Sequence, residues 1–99
     1  MPEVNTDPRL EYDLAREALY HEKKIPGRGE KFIAEVELAE MKLRRFPEIC
    51  AWVHKPYRQY ILKDFNCSLI YRYKPEDDEI YIVALHGHAQ HPDQWKDRI

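Results

Sequence analysis

The strongest constraint on the fold is a helical repeat of apolar residues that ends at a proline. Between residues 30 and 47, apolar side chains are separated by four, three, four and three positions, at Phe32, Val36, Ala39, Leu43 and Phe46. This spacing places all of them on one face of an α-helix. Pro47 cannot continue a helix, because it lacks the backbone N–H and its ring clashes with the preceding turn. The pattern therefore predicts a helix that ends near residue 46 and buries one face.

An earlier segment predicts a second helix that pairs with the first. Asp7 and Pro8 are typical of a helix start, because Asp accepts hydrogen bonds from free backbone amides and Pro fits the first helical position. Apolar residues then recur at helical spacing, at Leu10, Leu14, Ala18 and Ile25. The stretch "PGRG" at residues 26–29 ends this helix and turns the chain. Two helices joined by so short a turn form an αα-hairpin.

The chain changes character after Pro47. Three segments rich in strand-forming residues follow, "RQYILKDF", "SLIYRY" and "EIYIVALH", and short turns link them. "CAWVH" and the N-terminal "PEVNT" are candidates for further extended segments, and Pro92 predicts a last helical turn. We therefore expect one domain over residues 1–99. Its predicted class is α+β, with an N-terminal αα-hairpin packed on a three- to four-stranded antiparallel sheet and a short C-terminal helical turn.

The composition, with 43% hydrophobic and 34% charged residues, is that of a globular chain. No apolar run approaches the roughly 18 residues that a membrane span needs. The N-terminal residues are polar and acidic, unlike a secretory signal. We therefore expect a cytoplasmic protein without a membrane partner. Cys50 and Cys67 belong to no CxxC motif, and we interpret both as reduced, half-buried residues.

Basic residues are concentrated in the middle of the chain. Residues 42–74 carry eight Lys or Arg against two acids, whereas residues 1–40 carry ten acids against six bases. A basic segment of this kind can bind a polyanion or an acidic partner. It can also be a set of solvated side chains on helix ends and strands, and charge alone favours that simpler interpretation.

Three histidines in "HGHAQHPDQW", residues 86–95, form the densest cluster of candidate chemistry. His86 and His88 share a face at a strand end, and His91 follows with Asp93 as a possible carboxylate ligand. The cluster lacks a well-spaced fourth ligand, so we predict no metal and no cofactor. Gly-rich phosphate loops, GxSxG and HExxH patterns are absent. The alternatives left are ordinary strand-end histidines or a functional surface that moves a proton or contacts a phosphate.

The ordered set of features resembles the RelE/ParE superfamily of bacterial type II toxins, most closely ParE-like plasmid stabilisation proteins. In that family an arginine-bearing strand leads to a phenylalanine, a tyrosine-rich strand and an aliphatic strand ending in His, and a Pro, a Trp and an Arg close the chain. The corresponding residues here are Arg58, Phe65, Tyr71, Arg72, residues 80–85, His86, Pro92, Trp95 and Arg98. Two departures stand out. Residues 87–91 read "GHAQH" where family members commonly carry arginines, and "FNC" stands where "FPY" is frequent.

The resemblance implies a toxin that a cognate antitoxin neutralises, and self-association is left open. ParE-like members inhibit DNA gyrase by binding it, and this is the function that we expect. A RelE-like ribosome-dependent mRNA endonuclease is the alternative, and a non-toxic binding module on the same fold is the third. A nuclease would use Arg58 and Arg72 for phosphate and His86 or His88 for proton transfer, with Tyr71 or Trp95 stacking a base. The candidate surface for a protein target or nucleic acid comprises Arg58, Lys63, Arg72, His86, Trp95 and Arg98.

Overall fold

A computed structural model describes residues 1–99 and contains seven main elements. They are β1 (Glu3–Thr6), α1 (Leu10–Lys24), α2 (Arg28–Arg45), β2 (Trp52–His54), β3 (Tyr57–Leu62), β4 (Cys67–Lys74) and β5 (Glu79–Gly87). Short 3-10 turns follow β3, follow β4 and form the C-terminal turn at Gln94–Arg98. The predicted α+β layout, two helices followed by a run of strands, is confirmed.

The sheet has five strands in the order β1-β5-β4-β3-β2, and it is mixed. The strands β2 to β5 pair antiparallel with their sequence neighbours, as expected. β1 instead lies parallel to β5, with Glu3 opposite Glu79 and Thr6 opposite Ile82. The prediction of three to four antiparallel strands is therefore wrong in number and in direction. The helical hairpin carries the chain from β1 at one edge of the sheet to β2 at the other edge. The strands β3, β4 and β5 then lead back across the sheet, so β5 lies beside β1.

Asp7 and Pro8, expected to begin the first helix, lie in the turn before it, since α1 begins at Leu10. Asp7 Oδ1 accepts a hydrogen bond from the Arg9 backbone N–H at 2.9 Å just before α1. The same carboxylate pairs with the Arg9 side chain, and this hydrogen bond lowers the pKa of Asp7. Ile25 and Phe46, expected on the buried stripes, are each 58% exposed because both helices end one residue earlier.

The two helices approach closely at the start of α2. A Cβ atom on Gly29 would lie 2.8 Å from the Ala18 carbonyl oxygen of α1, so only glycine fits there without a shift. The preceding Gly27 adopts φ +89°, a left-handed conformation that glycine reaches at little cost. The Glu22 carboxylate accepts hydrogen bonds from the backbone N–H groups of Gly27 and Gly29. The "PGRG" turn is thus fixed by both steric and hydrogen-bonding constraints.

Apolar residues fill both faces of the sheet, and the larger cluster lies under the helices. It joins the apolar stripe of α2 to one face of the strands, with Phe32, Leu43, Leu69, Tyr71, Ile80 and Ile82 among its members. A smaller cluster on the opposite face consists of Ile70, Val83, Ala84 and Trp95. Burial of these side chains is the main stabilising contribution to a fold of this size. None of the helices is long and apolar enough to cross a membrane.

A β-bulge in β5 creates the smaller cluster. Ile70 pairs with Ala84 whereas the next residue, Tyr71, pairs with Ile82, so Val83 has no partner on β4. Val83 and Ala84 consequently point to the same side, away from the helices. The C-terminal 3-10 turn packs over them, and the sheet face away from the helices is partly covered as a result.

Candidate functional site

Side-chain alternation along the paired strands defines the sheet face away from the helices, here called the outer sheet face. The cross-strand pairs place on it Tyr57, Gln59, Ile61, Ser68, Ile70, Arg72, Tyr81, Val83, Ala84 and His86. Trp95 packs over its apolar part and beside Tyr57, and Arg72 lies between Tyr57 and Tyr81. This face holds more of the sequence-predicted site residues than any other part of the surface.

The two strand arginines lie on opposite faces of the sheet. Arg58 pairs with Tyr71, a core residue under the helices, whereas Arg72 pairs with Tyr57 and Tyr81 on the outer sheet face. Successive residues of a strand point to opposite sides, so the two guanidinium groups cannot converge on one ligand. The predicted use of both arginines on a single phosphate is therefore not compatible with this register.

The Arg58 side chain is half-buried and contacts other parts of the chain. Arg58 Nη1 donates hydrogen bonds to the backbone oxygens of Glu48 at 3.1 Å and Cys50 at 2.7 Å. Its guanidinium carbon lies 3.6 Å from the centroid of the Trp52 ring, a cation–π contact. These contacts hold the link between α2 and β2 against β3. Arg58 thus acts here as a structural clamp.

The side chains of Arg98 and Trp95 also form contacts within the chain. Arg98 forms a two-pronged ion pair with Asp13 of α1, with Nη1–Oδ2 at 2.6 Å and Nη2–Oδ1 at 2.9 Å. This pairing raises the pKa of Arg98 above its ordinary value. Trp95 is 3% exposed and packs near Tyr57, with ring centroids 5.7 Å apart. Neither side chain is presented to a ligand, although both were expected at the binding surface.

Arg72 and Lys63 are the predicted cations without such commitments. Arg72 lies between Tyr57 and Tyr81, and its Nε atom is buried without a hydrogen-bond partner. The Arg72 side chain forms no hydrogen bond or ion pair within the chain, so its guanidinium is a candidate for contact with another molecule. Lys63 is exposed in the 3-10 turn between β3 and β4.

The strand-end histidines form separate hydrogen bonds. His86 Nε2 donates to the backbone oxygen of His91 at 2.9 Å, because a carbonyl can only accept. His88 Nε2 lies 2.9 Å from the Ser68 hydroxyl, and His91 Nδ1 accepts from the Asp93 backbone N–H at 3.1 Å. No group of three His, Cys, Asp or Glu side chains is arranged to hold a metal ion. The arrangement stabilises the chain after β5.

Burial makes Cys67 unsuitable as a reactive thiol and Tyr71 unsuitable as a stacking residue. It raises the pKa of the Cys67 thiol to about 12, so the thiol remains protonated at neutral pH. Burial also raises the pKa of Tyr71, whose hydroxyl donates to the Pro47 backbone oxygen at 2.9 Å. Tyr71 is fully enclosed, so the expected stacking of a base on this ring has no accessible surface.

Sequence reasoning missed Asp13, the residue that connects three elements. Asp13 Oδ2 accepts the backbone N–H of Leu85 at 3.1 Å in addition to its bonds with Arg98. The carboxylate thereby ties α1 to β5 and to the C-terminal turn. A signal was available, since Asp13 follows Leu10 by three positions and shares its buried helix face.

The outer sheet face offers a ligand one free guanidinium between aromatic rings, with His86 and the covered Trp95 further along the same face. This arrangement suits contact with a protein or polyanion surface more than the precise positioning of a reacting phosphate. Comparison with known proteins adds no assignment. No protein-family model matches this chain, and no curated protein matches it in sequence.

Proposed function

We propose that this protein is the toxin of a bacterial type II toxin–antitoxin system, a ParE-like growth inhibitor. It acts in the cytoplasm by binding a protein target such as DNA gyrase. The support begins with the ordered set of residues that resembles the RelE/ParE superfamily. The observed layout, a helical hairpin followed by a sheet, is compatible with that family.

The observation that carries binding rather than cleavage is the separation of Arg58 and Arg72 on opposite sheet faces. Cleavage of RNA requires a base, an acid and a cationic group to meet at one phosphate. Arg58 donates hydrogen bonds to the backbone oxygens of Glu48 and Cys50, and the His86 ring donates one to the backbone oxygen of His91. The remaining groups do not form such a set, whereas inhibition by binding needs only a complementary surface.

The proposed target surface is the outer sheet face around Arg72. Tyr57 and Tyr81 flank the guanidinium, and aromatic residues and arginine dominate the energetics of protein interfaces. The buried Nε of Arg72 lacks an acceptor in the isolated chain. A carboxylate on the target would pair with the guanidinium of this half-buried side chain.

The test is the order in which cellular syntheses stop after induction. We expect thymidine incorporation to fall before methionine incorporation in the same pulse-labelled culture. Arg72→Gln should weaken growth inhibition, while Lys31→Gln, an exposed change on α2, should leave it intact. Early collapse of methionine incorporation, with mRNA cut at codon boundaries on ribosomes, would replace this proposal with the RelE-like endonuclease.

A second experiment addresses the antitoxin. Co-expression of a small gene adjacent to this one should restore growth and yield a stable complex, because an antitoxin segment folds onto its toxin. If induction of this protein alone leaves growth unchanged and no neighbouring product binds it, the non-toxic binding module becomes the better description.

A further inference from the structure

An open surface groove of about 900 Å³ lies between α1 and α2. It is here called the hairpin groove, and its apolar surface includes Ala18, Leu19 and Ile33. Leu19 is 56% exposed and forms part of the apolar lining of the groove. The stripe of α2 that packs on the sheet is centred on a different side of that helix, although Ile33 contacts both the core and the groove. The hairpin groove therefore opens away from the outer sheet face.

The charge of the hairpin groove is uniformly negative. Glu22, Glu30 and Glu37 line it, and no Lys or Arg does. The Glu22 carboxylate is held in place by the backbone N–H groups of the hairpin turn. One turn beyond, burial raises the pKa of Glu40 and the negative charge of Glu37 adds to this effect, against the opposite influence of Arg44. An apolar floor with an unneutralised acidic rim results.

We propose that the hairpin groove binds a basic amphipathic helix of a partner protein. A helix laid between α1 and α2 would cover Leu19 and Ile33 with its apolar face, as helix-in-groove complexes do. Lysines or arginines flanking that face would reach Glu30 and Glu37, which are seven residues apart on α2. This separation corresponds to roughly 10 Å along the helix axis, so a segment of about three turns suffices. The charge excludes an acidic helix at this place, because like charges would be brought together.

This binding does not depend on the proposed toxin function. The groove and the outer sheet face lie on opposite sides of the molecule, so a partner in the groove leaves Arg72 accessible. The partner is committed by chemistry alone, as a basic and apolar helical segment. Failure of the toxicity experiments would leave this inference standing, and failure of the binding experiment below would leave the toxin proposal standing.

The probe is a fluorescein-labelled synthetic helix of about 18 residues, or five turns, with leucines at helical spacing and lysines on both flanks. Its matched control is the same peptide with glutamates in place of the lysines. Fluorescence anisotropy with the full-length protein should show saturable binding of the basic peptide only. The affinity should fall as salt is raised, because exposed charges are screened.

Two substitutions on α2 locate the site. Glu37→Lys reverses a charge in the groove, and Glu35→Lys makes the same change on another side of the helix. Because Glu37→Lys replaces an attraction between exposed charges with a repulsion of similar size, it should weaken binding roughly fivefold or more. Glu35→Lys should alter it less than about twofold, since it removes only long-range attraction. Circular dichroism should show that both variants keep the native helix content.

Three outcomes would overturn the proposal. The first is equal binding of the basic and acidic peptides, and the second is equal weakening by the two substitutions. The third is a dimer in sedimentation velocity that Leu19→Ala dissociates, because a second copy of the chain would then occupy the groove. Binding of the basic peptide that Glu37→Lys weakens and Glu35→Lys preserves establishes the site.

Discussion

The ion pair between Asp13 and Arg98 provides the sharpest test of the fold. The Asp13 side chain is 3% exposed and that of Arg98 15% exposed, and two short hydrogen bonds join them. Asp13→Asn keeps the volume and the polarity of the residue but removes its charge. Arg98 then remains largely buried with a backbone oxygen, that of Val83 at 3.1 Å, as its main acceptor. The uncompensated guanidinium should destabilise the native state.

The expected loss in the free energy of unfolding is about 3 kcal/mol, the lower end of the cost of breaking a buried pair. The retained bond to Val83 and the partial exposure of Arg98 place it there. For a domain of this size the melting temperature should fall by roughly 12 °C or more. Urea unfolding followed by circular dichroism measures the free energy, and a thermal scan measures the shift.

The matched control is an ion pair of similar length on the surface. Asp93 and Lys96 are 2.7 Å apart, but their side chains are 59% and 38% exposed. Asp93→Asn should leave the melting temperature unchanged, because water and salt already screen this pair. The double variant Asp13→Asn/Arg98→Met should be less destabilised than the sum of its single variants. A loss below about 1 kcal/mol for Asp13→Asn would refute the reasoning, since the pair would then contribute as little as a surface one.

Three further predictions concern individual side chains. Burial raises the pKa of Glu40, so its charge costs stability at pH values above its folded pKa. Glu40→Gln should therefore raise the melting temperature at neutral pH. The gain should vanish below pH 4.5, the ordinary carboxyl pKa, because the residue is then neutral in both the folded and the unfolded chain. The Cys67 thiol should react with Ellman's reagent near pH 8 only at the rate of unfolding, because its pKa is about 12 and it is fully buried. Zinc in modest excess should leave the melting temperature unchanged, because the rings of His86 and His88 are bonded to separate partners, and a chelator-sensitive shift would contradict this.

The helices were predictable because their signals are local. The apolar stripe of α2 has the period of a helix, and its core-facing members Phe32, Val36, Ala39 and Leu43 are buried as expected. The "PGRG" turn and Asp7 act on the backbone within a few residues, so their effects can be read directly from the sequence. The start of α1 and the last turn of each helix differed from the expectation by one or two residues, since helix ends fray.

The sheet was predictable in its strands but not in its pairing. β1 is a segment of four residues without a distinctive pattern, and nothing local indicates that its partner is β5, 76 positions away at Glu3 and Glu79. The sequence also did not indicate which face of each strand packs against the helices. β4 presents Leu69 and Tyr71 to the helices and Ile70 to Trp95, so both faces are apolar and alternation does not show which side is the core.

This ambiguity explains why the candidate site was only partly predictable. Arg58 and Arg72 both occupy strands rich in tyrosine, and a common face followed from the assumption that the basic residues form one surface. The 3-10 turn at Lys63–Phe65 sets the register between β3 and β4, and this register separates the two arginines. The length of this turn therefore determines on which face of the sheet each arginine lies, and residue type alone does not predict it.

The residues that carry the resemblance at the C-terminus have a common use in this chain. Trp95 covers the second face of the sheet, and Arg98 fastens the same turn to Asp13 of α1. Both contacts stabilise the fold, because without the C-terminal turn Ile70, Val83 and Ala84 would be exposed to water on the outer sheet face. In this chain the two residues hold the tail in place, so their agreement with the family pattern does not by itself indicate an activity. An activity has to be tested at side chains without such a structural use, and Arg72 on the outer sheet face is the one most directly tested by substitution.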